Sequence, residues 1–153
     1  MLILSFAIMI VGIIGSVIPV LPGPLSSWIG LLLFSMISDG GVHSHINHLI
    51  AFSKVLNAHK INLRLHAFTD GRDSSPKKAL EYLKVLSSNN IEIASVSGRY
   101  YSMDRDNKWN RTKMAYDAIV TNNSVRFCNI NDYLIKSYNS GITDEFIKPA
   151  HHK

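Results

Sequence analysis

Residues 61–96 read INLRLHAFTDGRDSSPKKALEYLKVLSSNNIEIASV, and the order of patterns within them decides the fold. Ile61–Phe68 alternates apolar and polar side chains, as a half-buried strand does. Ser75–Ser87 opens on Ser-Pro, a helix-start signal, and brings Leu80, Leu83 and Leu86 to one inward face. Ile91–Val96 returns to a strand pattern. Strand, helix and strand in so short a span make a crossover unit, and such units build parallel sheets with right-handed connections.

The same alternation extends both ways. Upstream, Phe34–Ser38 is expected to be a short buried strand, and His45–Ala58 a helix with Ile46, Leu49, Ile50, Ser53 and Leu56 near one face. Downstream, Lys108–Val120 reads as a third helix that buries Trp109, Met114 and Ile119. The expected fold class is α/β, a three-layer, mainly parallel sheet with flanking helices. No internal repeat or low-complexity tract is visible.

In such folds ligands bind beyond the carboxyl ends of the strands. The loops there span 38–44, 69–74 and 97–106, and they carry His43, Arg72, Asp73, Arg99 and Arg105. Arginine clamps carboxylate or phosphate through paired hydrogen bonds. Asp73 beside Arg72 offers a general base for a hydroxyl, or else the pair caps its loop. The turn Asp39-Gly40-Gly41 bares backbone amides for close approach by an anion, helped by the following helix. His43, His45 and His48 lie near one another, but only His45 and His48 share a helical face and no carboxylate has zincin-like spacing. No metal site is therefore expected, and His43 is read as a phosphate contact or proton shuttle. Asp117, Asp132, Asp144 and Glu145 read as solvated or capping acids without a role. No Walker-type loop and no Ser-His-Asp order is present.

The net charge of +5 lies wholly in residues 39–153, because no Asp, Glu, Lys, Arg or His precedes Asp39. A basic balance points to anionic partners. The acids Asp104 and Asp106 interrupt the Arg–Tyr run around Tyr100 and Tyr101, so a small phosphorylated molecule is the expected partner and nucleic acid is not. Cys128 is the only cysteine, which rules out an intrachain disulfide and a thiolate metal cage.

Met1 to Val20 is almost continuously apolar and long enough to cross a bilayer as a helix. Pro19, Pro22, Gly23 and Pro24 then form a turn, and LSSWIGLLLFSMI over 25–37 is apolar again. No Lys or Arg precedes Lys54, so a signal peptide lacks its positive region. The expectation is a membrane-inserting helical hairpin over 1–35, then the α/β part over 36–149, expected on the cytoplasmic side, and a tail at 150–153. Residues 31–37 cannot serve both as a membrane helix end and as the first strand. The run GIIGSVIPVLPGPLSSWIGLLLF resembles the opening hairpin of a family of small bacterial membrane proteins of unknown function.

SDGGVHSHINHL (38–49), HAFTDGRDSSPKKALEYL (66–83), ASVSGRYYSMDRDNKWNRTKMAYDAIV (94–120) and SYNSGITDEFIKP (137–149) together closely resemble the cofactor-independent phosphoglycerate mutase family, in its phosphotransferase domain. The resemblance implies a cytoplasmic, glycolytic isomerase that interconverts 3-phosphoglycerate and 2-phosphoglycerate. In that family the phosphoryl group passes through a serine in a separate domain that holds two manganese ions. By motif position, His43, Arg72, Asp73, Arg99 and Arg105 match its substrate-binding residues, with Asp73 as a candidate acid/base. Family members are several times longer. None of Ser35, Ser38 or Ser44 lies in the nucleophile's motif, and no manganese ligands fall in this stretch. The chain is thus expected to be a chimeric fragment, a substrate-binding part without turnover of its own. The alternatives are a membrane-tethered phosphoglycerate-binding module and a vestigial scaffold.

Overall fold

The structure, a computed structural model, describes residues 31–153. Strands β1 (Leu31–Ile37), β2 (Leu63–Thr69) and β3 (Ile93–Gly98) are parallel neighbours. The register of β1 on β2 runs unbroken from Leu31 opposite Leu63 to Ile37 opposite Thr69. Helix α1 (Ile46–Ala58) connects the first two strands, and α2 (Ala79–Ser88) connects the second and third. After β3 come a single turn, α3 (Arg99–Ser102), and α4 (Trp109–Tyr116), which runs into a π-helical turn at Asp117–Thr121. Strand β4 (Val125–Phe127), helix α5 (Ile130–Asn139), a 3₁₀ turn at Asp144–Phe146 and strand β5 (Ala150–His152) complete the described part. Among the described residues the sheet order is β1-β2-β3-β5-β4, with β5 antiparallel to β3 and parallel to β4. The architecture is the mainly parallel α/β sheet that the alternating pattern implies.

One buried cluster holds it together. Ile37, Leu65, Ala67 and Val96 from the strands meet Leu49 of α1, Leu83 and Leu86 of α2, and Leu134 of α5. Burying each large aliphatic side chain contributes roughly 1.5–3 kcal/mol. On α1 the buried positions Ile46, Leu49, Ser53 and Leu56 follow the expected helical face.

Several expectations are corrected. Residues 31–35 belong to β1 and not to an apolar hairpin; the remainder of that hairpin, and most of the membrane-family resemblance, lie outside the described residues. No helix among the described residues is long and apolar enough to cross a membrane. Residues 150–152 are no tail, since they form a strand inside the sheet. Helix α2 starts at Ala79 rather than Ser75, because its first amides are held from a distance: Lys78 N–H and Ala79 N–H donate to Asp144 Oδ2 at 2.8 and 2.9 Å. On α4, Trp109 is 74% exposed and Met114 is also exposed, while Ile119 in the π turn is half-buried. The inward residues there are Arg111, Ala115 and Ala118, small side chains flanking one charge that needs internal partners.

Candidate functional site

The carboxyl ends of β1, β2 and β3 lie side by side, so their loops share one edge of the sheet. Two glycines let them close up. Gly71 has φ +68, and a Cβ there would stand 2.7 Å from Glu145 N. A Cβ on Gly98 would meet Glu145 O at 2.3 Å, so only glycine lets β3 pass the 144–147 segment.

The centre of the edge is Arg99, which opens α3 directly after Gly98. Its Nη1 donates to Asp70 Oδ1 and to Asp73 Oδ2, both at 2.6 Å, and its Nη2 lies 3.3 Å from His43 Nε2. One guanidinium therefore ties together the loops after all three strands. His43 Nε2 is also 4.0 Å from Asp73 Oδ2. Asp70 is almost wholly buried and further accepts from Ser38 Oγ at 2.7 Å and from the Arg72 and Asp73 amides. Burial alone would raise its pKa, but the Ser38 hydroxyl, the Arg99 guanidinium and the amides outweigh burial and hold the carboxyl below its ordinary value. Burial likewise works against the Arg99 charge, and Asp73 and Asp70 overcome it and raise its pKa.

In front of this cluster lies a cavity of about 510 Å³ whose wall includes His43, Arg72, Arg99, Arg105, Arg111 and Glu145. Three carboxylates, Asp104, Asp106 and Glu145, share the wall with these four guanidiniums; Arg99 and Arg111 are each held by two carboxylates, which leaves Arg72 and Arg105 as the cations open to an anion. Arg72 is mostly exposed and reaches Glu145 Oε1 at 3.8 Å, so its partner is not the adjacent Asp73. Asp73 stands behind Arg99 and is not on the cavity wall. The Gly-Gly turn is absent from that wall too: Gly40 N–H donates inward to Ser38 Oγ at 2.9 Å, and Asp39 is held by Lys78 and Tyr82. His45 is the N-cap of α1, its Nδ1 accepting from Asn47 N–H at 3.1 Å.

Sequence reasoning missed three residues. Asp70 carries a readable signal, since Asp-Gly-Arg-Asp is a turn sequence in which the first carboxylate accepts from amides ahead of it. Asp144, read as a surface or capping acid without a role, is buried and caps α2; Tyr138 O–H also donates to it. Arg111 gives no local signal. Manganese finds no fit here. Among the described residues no three His, Cys, Asp or Glu side chains gather as a metal cage requires, and the carboxylates nearest the cavity are engaged by arginine.

Comparisons with known proteins agree with this picture. The family model described as BPG-independent PGAM N-terminus matches residues 29–153, and so takes in the last residues of the stretch that resembles the membrane family. The 2,3-bisphosphoglycerate-independent phosphoglycerate mutase of Roseobacter denitrificans is 47% identical over 121 residues, covering 77% of this chain and 24% of the relative. That of Aliarcobacter butzleri is 44% identical over 134 residues, covering 86% of this chain and 27% of the relative. The chain thus spans about a quarter of the length of the curated relatives it matches. Among solved structures, Leishmania mexicana phosphoglycerate mutase at low cobalt concentration aligns with a TM-score of 0.72 at 25% identity, over 83% of this chain and 26% of that one.

Proposed function

Because this chain belongs to the family of the BPG-independent phosphoglycerate mutase N-terminus, we propose that it supplies the substrate-holding part of such a mutase, binding 3-phosphoglycerate and 2-phosphoglycerate. The observation that carries the reading is the cavity wall, where Arg72 and Arg105 face an opening sized for a small phosphorylated acid. A phosphoglycerate offers two anionic ends and a hydroxyl between them. Arg72 and Arg105 suit the anions, and His43, held beside Arg99 and Asp73, suits the hydroxyl. Interconversion itself, with the manganese-held serine that the resemblance implies, belongs to residues other than those described. A cytoplasmic, glycolytic setting goes with the same reading.

Titration calorimetry on the chain tests it, with 3-phosphoglycerate, glycerate and inorganic phosphate as ligands. Saturable heat is expected with 3-phosphoglycerate, and weaker binding with either half alone. Equal binding of all three, or no heat at millimolar 3-phosphoglycerate, would sink the reading.

A further inference from the structure

Arg105 is an exposed cation between two acids, Asp104 and Asp106, yet it makes no ion pair among the described residues. Both neighbouring acids are taken by one other residue. Arg111 Nη1 lies 3.0 Å from Asp104 Oδ1 and 3.2 Å from Asp106 Oδ2. The guanidinium is fixed in a third way, stacked over the Tyr100 ring with Cζ 3.8 Å from its centroid. Asp104 is nearly buried, and its other oxygen accepts from Lys108 N–H at 2.8 Å, so it is fully engaged. All four residues, Asp104, Arg105, Asp106 and Arg111, line the same cavity.

We infer that Arg111 is a positioning residue for Arg105: by holding Asp104 and Asp106 it keeps both flanking carboxylates off that guanidinium and leaves it for a ligand anion. The charges support this. Among Asp104, Arg105, Asp106 and Arg111, two carboxylates and two guanidiniums balance, whereas without Arg111 both carboxylates lose the guanidinium they share. The two acids would then compete with the ligand for Arg105. Lysine cannot take over the role, because a single ammonium lacks the planar face that stacks on Tyr100 while its edge reaches two carboxylates. The inference rests on the cavity being an anion site, but Arg105 can be read without any ligand.

The probe is phenylglyoxal, which modifies unpaired arginines, with the rate at Arg105 followed by peptide mass mapping in the full chain. Arg111→Met is expected to slow modification of Arg105 about two- to fivefold, the factor an exposed ion pair supports. Adding Asp106→Asn to that variant should restore much of the rate. An unchanged rate in a cooperatively folding Arg111→Met protein would overturn the inference. Should that variant fail to fold, Asp106→Asn alone decides, since the Asp106 side chain is 68% exposed and tolerates the change. It should leave the Arg105 rate as it was, and an acceleration would show that Asp106 pairs with Arg105 after all. If the rates follow the expected order while 3-phosphoglycerate binds to no variant, the positioning role stands and the phosphoglycerate reading falls.

Discussion

Arg99 Nη1 lies 2.6 Å from Asp70 Oδ1, with the two side chains only 8% and 1% exposed. Removing the Asp70 charge leaves the buried Arg99 with Asp73 as its remaining carboxylate, which costs about 1–3 kcal/mol. Asp70→Asn should therefore lower stability by an amount near that range in urea unfolding. The pH dependence has a definite sign. The folded-state pKa of Asp70 is depressed, so its contribution is present above the ordinary carboxylate pKa and lost as pH falls through the lower folded value. The stability gap between native chain and Asp70→Asn should hold at pH 7 and shrink below about pH 4. A gap that widens on acidification would contradict the assignment.

Asp144 should show the opposite slope. Burial raises its pKa, more than the Tyr138 hydroxyl and the Ala79 and Lys78 amides lower it. A folded state that holds its proton to higher pH loses stability as pH rises through that window. Asp144→Ala removes the cap of α2 and should cost about 1–2 kcal/mol, the usual value of an N-cap. That cost should be larger near pH 4 than at pH 7, as measured by thermal unfolding at both values.

Gly98→Ala tests how tightly the site's backbone is fitted. The added methyl would meet Glu145 O at 2.3 Å and Ile147 N at 2.7 Å, and both are backbone atoms that cannot rotate away. Overpacking of this kind typically costs 1–3 kcal/mol, and we expect about that loss. Because Gly98 immediately precedes Arg99, the variant should also weaken 3-phosphoglycerate binding. Wild-type stability in Gly98→Ala would show that the 144–147 segment does not press on β3.

How far the sequence reveals all this depends on the range of each interaction. The strands around Leu65 and Val96 and the inner face of α1 were legible because periodicity is local and their burial obeys it. Strands β4 and β5 have three residues each, too few for a period to register, and their pairing comes from the sheet rather than from their own pattern. The burial expected of Trp109 fails because, although a large apolar residue on a helix normally turns inward, here Arg111 holds the inward position through Asp104. The logic of parallel sheets brings the three loops together. The pairing of Arg99 with Asp70 and of Lys78 N–H with Asp144 spans 29 and 66 residues, and no neighbour in the chain announces either.

The cavity's anion chemistry gives the last prediction. Arg72 has a 60% exposed side chain and one long contact to Glu145, so its replacement should leave the fold intact. Arg105 is likewise exposed and unpaired among the described residues. A hydrogen bond to a charged group is worth about 1.5–3 kcal/mol, so Arg72→Ala and Arg105→Ala should each weaken 3-phosphoglycerate binding roughly tenfold or more. Lysine at either position should recover only part of the loss, because it brings the charge without the paired donors. Binding should also weaken between low salt and about 0.15 M, where exposed charges are screened beyond about 8 Å. The calorimetric affinity of the four variants at two salt concentrations checks all of this. Affinity indifferent to salt and to both alanine substitutions would place the phosphate elsewhere, since two exposed arginines that grip an anion cannot be removed without the anion responding.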